Sequence, residues 1–260
     1  MRAMSLIRNL SSLVFVFTIL SYAFNVAAEP FEDKVREFVR SIHHHGIPYE
    51  EARDLGTQAV PVLVEMLDDV TEETSWANIV FCLGAIGDRS AIGPLEDFYR
   101  SRFDRKVSPA AFKALVQVPR SLGILARSKD QPHFKRLVAN LSDERQPKWT
   151  FDTFGPEDRN LFWLGITIDG LSFSSLPEAR SALLKLDEEY ASRALVSKKS
   201  KEDAEQLSDL LLEAVATQSI VARFGPEVIF SERSETLLAK EREKYKKLLS
   251  TGGLALDLDK

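Results

Sequence analysis

The chain has 260 residues, of which 44% are hydrophobic and 28% are charged, and its formal net charge is −5. These proportions are ordinary for a soluble globular protein. A moderately acidic chain lacks the broad basic surface that general nucleic-acid binding needs, so we expect no nucleic-acid partner. The single cysteine, Cys82, cannot form an intramolecular disulfide and is expected to be a small core residue.

Residues 1–28 have the pattern of a secretory signal peptide. A short basic stretch ending at Arg8 precedes an apolar run, and small residues lie just before Glu29. We predict cleavage after Ala28 and export to the periplasm or the extracellular space. The alternative is an uncleaved membrane anchor, because the 20 residues between Arg8 and Glu29 are uncharged and long enough to cross a bilayer.

The first part of the body carries apolar residues at helical spacing, separated by glycine stops. Gly87 suits the left-handed end of one helix, and Asp88 is placed to cap the next. Thr57 is expected to cap the helix that follows it. The predicted apolar stripes run from Phe31 to Ile42, Tyr49 to Leu55, Val60 to Leu67, Trp76 to Ile86 and Ile92 to Tyr99.

The second part of the body continues this pattern less regularly. A helix beginning at Ser108-Pro109 contains Pro119, and the turn over residues 224–233 is long enough for an extra strand or short helix. Residues 251–260 are predicted to be a flexible tail. The remaining stripes run from Phe134 to Leu141, Leu161 to Leu171, Leu176 to Tyr190, Leu207 to Val215 and Leu238 to Leu249.

Two stretches repeat one pattern 32 positions apart. Ala59-Val60-Pro61-Val62-Leu63 aligns with Ala91-Ile92-Gly93-Pro94-Leu95, and each follows a helix that ends in glycine. A helix–turn–helix unit recurring every ~30–45 residues is typical of an α-solenoid. With Leu83 to Asp88, these residues resemble HEAT repeats, particularly the short bacterial type also seen in phycobilin-lyase-like proteins. Weaker matches are Leu125-Ala126 with Phe134, and Pro177 to Arg180 with Leu183-Leu184.

The resemblance implies an all-α fold, a right-handed superhelix of about five antiparallel helix pairs over residues 29–250. In HEAT proteins the second helices of the pairs line a concave face that commonly binds protein partners. The family shares no catalytic residues, and its lyases act on intracellular pigment proteins, which does not fit an exported chain. The residues expected on this face are Glu96, Arg100, Lys135, Arg136, Arg180 and Lys185.

Other residues that carry chemistry are few. His43-His44-His45 are consecutive, so their side chains point about 100° apart around a helix and do not converge on one metal. His133 is isolated and is expected to be exposed beside Phe134. The sequence contains no phosphate-binding glycine loop and no serine nucleophile elbow, so we assign no catalytic residue, cofactor or metal.

The segment from Lys148 to Trp163 is the richest in aromatic residues and interrupts the repeat rhythm. Trp149, Phe151 and Phe154 either fill the core at this break in the repeats or form an exposed loop that binds a partner. The favoured hypothesis is an exported, non-enzymatic scaffold that binds a protein or peptide. The alternatives are an enzyme or small-ligand carrier with a pocket near residues 148–163, and an adaptor tethered to a membrane by an uncleaved N-terminus.

Overall fold

The computed structural model describes residues 31–43, 46–102, 106–141, 156–194 and 198–250. Within these ranges the regular elements are eleven α-helices and short 3-10 turns, and no strand occurs. The all-α prediction is therefore confirmed for the described part of the chain. The predicted signal peptide and the predicted C-terminal tail lie outside it.

The helices fall into two compact units. Helix α1, residues 31–40, belongs to a unit that ends at Ile42, and the other helices belong to the unit His43–Lys260. These are α2 Tyr49–Asp54, α3 Val60–Asp68, α4 Trp76–Ile86, α5 Ile92–Arg100, α6 Pro109–Leu125, α7 Pro132–Asn140, α8 Pro156–Ser172, α9 Pro177–Ala194, α10 Lys198–Phe224 and α11 Ser234–Ser250. A 3-10 turn, Pro226–Phe230, fills the long connection before α11, where a short extra element was expected.

The turn between α4 and α5 has part of the predicted chemistry. Gly87 lies in the left-handed region with φ of +74° and ends α4 as predicted. The Asp88 carboxylate accepts the backbone N–H of Ser90 at 2.8 Å, but it caps the 3-10 turn Arg89–Ala91 and not α5, which Ala91 precedes. The expected cap by Thr57 is wrong. A 3-10 turn, Thr57–Ala59, separates Thr57 from α3, so the residue preceding the helix is Ala59, whose side chain has no acceptor.

Alternate helices pack in series. Helix α2 packs on α4, α4 on α6, α6 on α8, and α8 on α10. The intervening helices attach to this series, since α3 packs on α4, α5 on α6, α7 on α8, and α9 on α10. Several of the largest fully buried side chains lie along this arrangement, among them Leu63, Leu83, Leu95, Leu115, Ile168 and Leu183.

Small residues bring the backbones of α4, α6 and α8 close together. Ser121 of α6 donates its hydroxyl proton to the carbonyl of Val80 in α4 at 2.8 Å. A Cβ placed on Gly123 would lie 1.9 Å from the carbonyl oxygen of Gly170 in α8. A Cβ on Gly170 would in turn lie 2.7 Å from the carbonyl of Pro119, so the close approach of α6 and α8 depends on both glycines.

Candidate functional site

Three of the predicted partner-binding residues meet where α5 and α7 approach each other. The Glu96 carboxylate lies 2.9 Å from Nη1 of Arg136 and 3.4 Å from Nη2 of Arg100. Arg100 also reaches Asp97 at 3.2 Å. We call Glu96, Arg100 and Arg136 the α5–α7 charge cluster.

The local sequence explains how these side chains meet. Leu95, Phe98 and Tyr99 bury one face of α5, which places Glu96 at the edge of that face and Arg100 one turn later. On α7, Phe134 and Leu137 are buried and fix the helix so that Arg136 faces Glu96.

The cluster is unevenly exposed. The Glu96 side chain is only 11% exposed, whereas that of Arg100 is 55% exposed and that of Arg136 is 34% exposed. Glu96 therefore holds the two guanidinium groups in place, while the guanidinium groups themselves can reach a partner. Glu96 thus orients the two arginines and does not itself contact a partner directly.

A small cavity lies beneath the cluster, between α5, α6 and α7. Its volume is about 10 Å³, and Val118, Pro119 and Leu122 of α6 form one side. Tyr99 and His133 form part of the other side, and burial raises the pKa of Tyr99 above its usual range. A space of this size accommodates roughly one water molecule and no larger ligand.

His133 is 2% exposed, so the expectation that it is exposed is wrong. It lies four residues before the buried Leu137 on α7, and this helical spacing directs it inward. Its Nε2 atom has no hydrogen-bond partner within the described residues. Burial lowers the pKa of His133, and the nearby charges of Arg136 and Arg89 lower it further, so the imidazole is neutral at pH 7.

Glu96 also retains unused hydrogen-bonding capacity. Its Oε1 atom is buried and makes no aligned hydrogen bond, although Arg136 lies within ion-pair distance of it. The approach of that guanidinium is thus electrostatic rather than directed along a hydrogen bond. Together with His133, this gives the cavity two polar atoms that make no aligned hydrogen bond within the described residues.

The other predicted partner-binding residues lie elsewhere. Lys135 is exposed on α7 and pairs with Asp130 at 3.4 Å. Arg180 of α9 donates to the Tyr245 hydroxyl of α11 at 3.4 Å, and Lys185 is exposed farther along α9. The sequence interpretation missed His133 and Tyr99 as neighbours of the cluster, although the spacing of His133 from Leu137 carried the signal.

The aromatic segment is described only at its end. Trp163 is 6% exposed, and it and Phe162 pack against Phe112 of α6 with ring centroids 6.4 and 5.6 Å away. These two residues are packing residues. Trp149, Phe151 and Phe154 lie outside the described residues.

The described ranges were compared with the patterns of metal sites and of membrane-spanning helices. There, no group of three or more His, Cys, Asp or Glu side chains is arranged to hold a metal ion. No described helix combines the length and apolar character required to span a membrane. Cys82 is fully buried, as predicted, and burial raises the pKa of its thiol to about 12.

Comparison of the chain with protein-family models, curated proteins and solved structures gave no match.

Proposed function

We propose that this chain is an exported scaffold that binds a protein or peptide, and that its helices form a HEAT-like α-solenoid. The pairs of this solenoid would be α2/α3, α4/α5, α6/α7, α8/α9 and α10/α11. The serial packing of α2, α4, α6, α8 and α10 supports this arrangement, because first helices of stacked pairs contact one another in an α-solenoid.

The α5–α7 charge cluster carries the functional part of the proposal. Helices α5 and α7 are second helices of their pairs, the position that the HEAT resemblance assigns to partner binding. A buried carboxylate fixes two arginines, and one of them, Arg100, is more than half exposed. Guanidinium groups held in this way bind carboxylates through paired hydrogen bonds, so the partner surface is acidic.

Fixing the arginines in advance strengthens binding. An arginine that is already ordered loses less side-chain freedom when a partner arrives, and arginine is among the residues that dominate interface energies. The ion pairs from Glu96 to Arg100 and Arg136 supply this ordering.

Export is proposed from the pattern of residues 1–28. Intact mass spectrometry of protein recovered from its native host tests this directly. A measured mass equal to that of a chain beginning at Glu29 supports cleavage after Ala28. A mass that includes residues 1–28 supports the membrane-tethered alternative instead.

Affinity capture tests the binding role. Residues 29–260 are immobilised as wild type, as Arg100→Glu and as Lys246→Glu, a matched charge reversal on α11 whose side chain is 59% exposed. We expect the wild-type protein and Lys246→Glu to retain the same partner. Arg100→Glu should bind that partner about 30-fold more weakly, the effect of a strong interface residue. Equal retention by all three proteins contradicts the proposed surface. Catalytic turnover that depends on one side chain would instead establish an enzyme.

A further inference from the structure

Three aromatic side chains from different parts of the chain form a cradle that holds Phe230. Tyr49 stacks on the Phe230 ring at a centroid distance of 4.8 Å, and Phe173 stacks on it at 5.6 Å. Phe81 meets the same ring edge-on at 5.7 Å. We call Tyr49, Phe81 and Phe173 the aromatic cradle, and the 3-10 turn Pro226–Phe230 the strap.

The cradle belongs to the packed fold. Tyr49 is 6% exposed and Phe173 is 5% exposed. Phe81 lies in the middle of α4, and its ring also contacts the Tyr49 ring edge-on at 6.3 Å. Tyr49 and Phe81 therefore support each other independently of Phe230, and Phe173 is held by its own burial.

The strap is held less firmly than the cradle. None of its residues is buried, and Phe230 is 39% exposed despite its three ring contacts. Within the described residues its hydrogen bonds are local, since Ser231 bonds back to the carbonyl of Val228. Gly225 precedes the strap, and its φ of +92° favours glycine. Few buried contacts and only local hydrogen bonds are the features of a segment that opens without global unfolding.

The cradle rim carries charges of both signs. Burial raises the pKa of Tyr49 to about 12, and the Glu227 carboxylate of the strap is the next cause. Arg53 and Arg127 lower the pKa of Tyr49, whereas Glu50, the ion-pair partner of Arg53, raises it. On the Phe173 side, the guanidinium of Arg120 lies 4.9 Å from the ring centroid and also pairs with Asp169. The occupant that the chain itself supplies carries one carboxylate, that of Glu227, and ends in phenylalanine.

We propose that the aromatic cradle is a binding site for a short segment of a partner protein that carries a carboxylate and a phenylalanine, as the strap does, and that the strap occupies this site until such a segment displaces it. The site is separate from the α5–α7 charge cluster, so it does not depend on the function proposed above. Because the strap is tethered, its effective concentration at the cradle is on the order of millimolar, and a partner must outcompete it.

The test uses Phe230→Ala, which empties the cradle, and a fluorescent peptide with the sequence GPEVIFS of residues 225–231. Fluorescence anisotropy should show saturable binding to Phe230→Ala at least about ten-fold tighter than to wild type, because the tethered competitor is removed. Adding Phe81→Ala to this variant should weaken the binding again. The same peptide with alanine in place of phenylalanine should not bind.

Phe224→Ala is the matched control. Phe224 is 44% exposed and lies under the guanidinium of Arg223, outside the cradle, so this variant should bind the peptide no better than wild type. Absence of saturable binding to a folded Phe230→Ala protein overturns the proposal, as does equal binding of the alanine peptide.

Hydrogen exchange of the wild-type protein keeps the proposal testable if Phe230→Ala fails to fold. The Ser231 amide, which bonds to Val228 at 3.2 Å, should exchange by local opening well before the central amides of α4. Exchange of both only through global unfolding would show that the strap does not open, and would overturn the proposal.

Discussion

Replacing Gly123 with alanine should destabilise the protein, although alanine is the better helix former. Gly123 lies within α6, where its new Cβ would stand 1.9 Å from the Gly170 carbonyl oxygen and 2.9 Å from its carbonyl carbon. Both neighbours are backbone atoms of α8, so no side-chain rotation relieves the clash. The two helices must separate, and the contacts on either side of the seam must loosen.

The magnitude follows from two opposing terms. Overpacking of a core costs about 1–3 kcal/mol, whereas exchanging glycine for alanine inside a helix gains about 0.5–1 kcal/mol. The free energy of unfolding should therefore fall by roughly 1–2 kcal/mol, which corresponds to a decrease of about 2–8 °C in Tm for a domain of this size.

The same substitution at Gly93 is the control. A Cβ on Gly93, in α5, meets no atom within 4 Å, so Gly93→Ala should stabilise the protein by up to about 1 kcal/mol. Urea unfolding followed by circular dichroism measures both effects. If Gly123→Ala is as stable as Gly93→Ala, the close approach of α6 and α8 is refuted.

Three further outcomes are expected. Burial lowers the pKa of His133 in the folded protein, so on acidification the unfolded chain takes up this proton first. The free energy of unfolding should therefore decrease as the pH falls below about 6.5, the usual pKa of histidine. The His133→Phe variant should show a shallower fall in Tm between about pH 7 and about pH 5.5. Arg120 and Asp169 form a bidentate ion pair at 2.9 Å, and each side chain is about one-third exposed. A double-mutant cycle with Arg120→Met and Asp169→Asn should give a coupling energy of about 1 kcal/mol that decreases in high salt, and a coupling energy of zero contradicts this. The Cys82 thiol should react with a disulfide reagent only after denaturant is added, and rapid labelling of the native protein would contradict its burial.

Much of the helical organisation could be predicted because local signals carry it. The stripe from Trp76 to Ile86 and the Gly87-Asp88 turn specify two helices and the break between them, and the structure has both. The cap at Thr57 failed because a 3-10 turn and an α-helix begin with similar residues. Local sequence does not distinguish which of the two follows.

The candidate site was predictable only in part. Glu96, Arg100 and Arg136 could be selected as polar residues on the predicted second helices. The spacing of Glu96 and Arg100 within one helix also indicates their contact, but the contact of Glu96 with Arg136 joins two different helices and has no local signal. The approach of Gly123 to the Gly170 carbonyl is of the same kind, because neither glycine carries a local signal for a contact between two helices. The aromatic cradle likewise joins Tyr49 to Phe230 across most of the chain.

The proposed binding role is tested most directly by hydrogen–deuterium exchange of residues 29–260 with and without the captured partner. Slower exchange should be confined largely to α5, Ile92–Arg100, and α7, Pro132–Asn140, and should be absent with Arg100→Glu. Unchanged exchange in both helices, with protection elsewhere on the chain, would contradict the assignment of the α5–α7 charge cluster as the partner-binding surface.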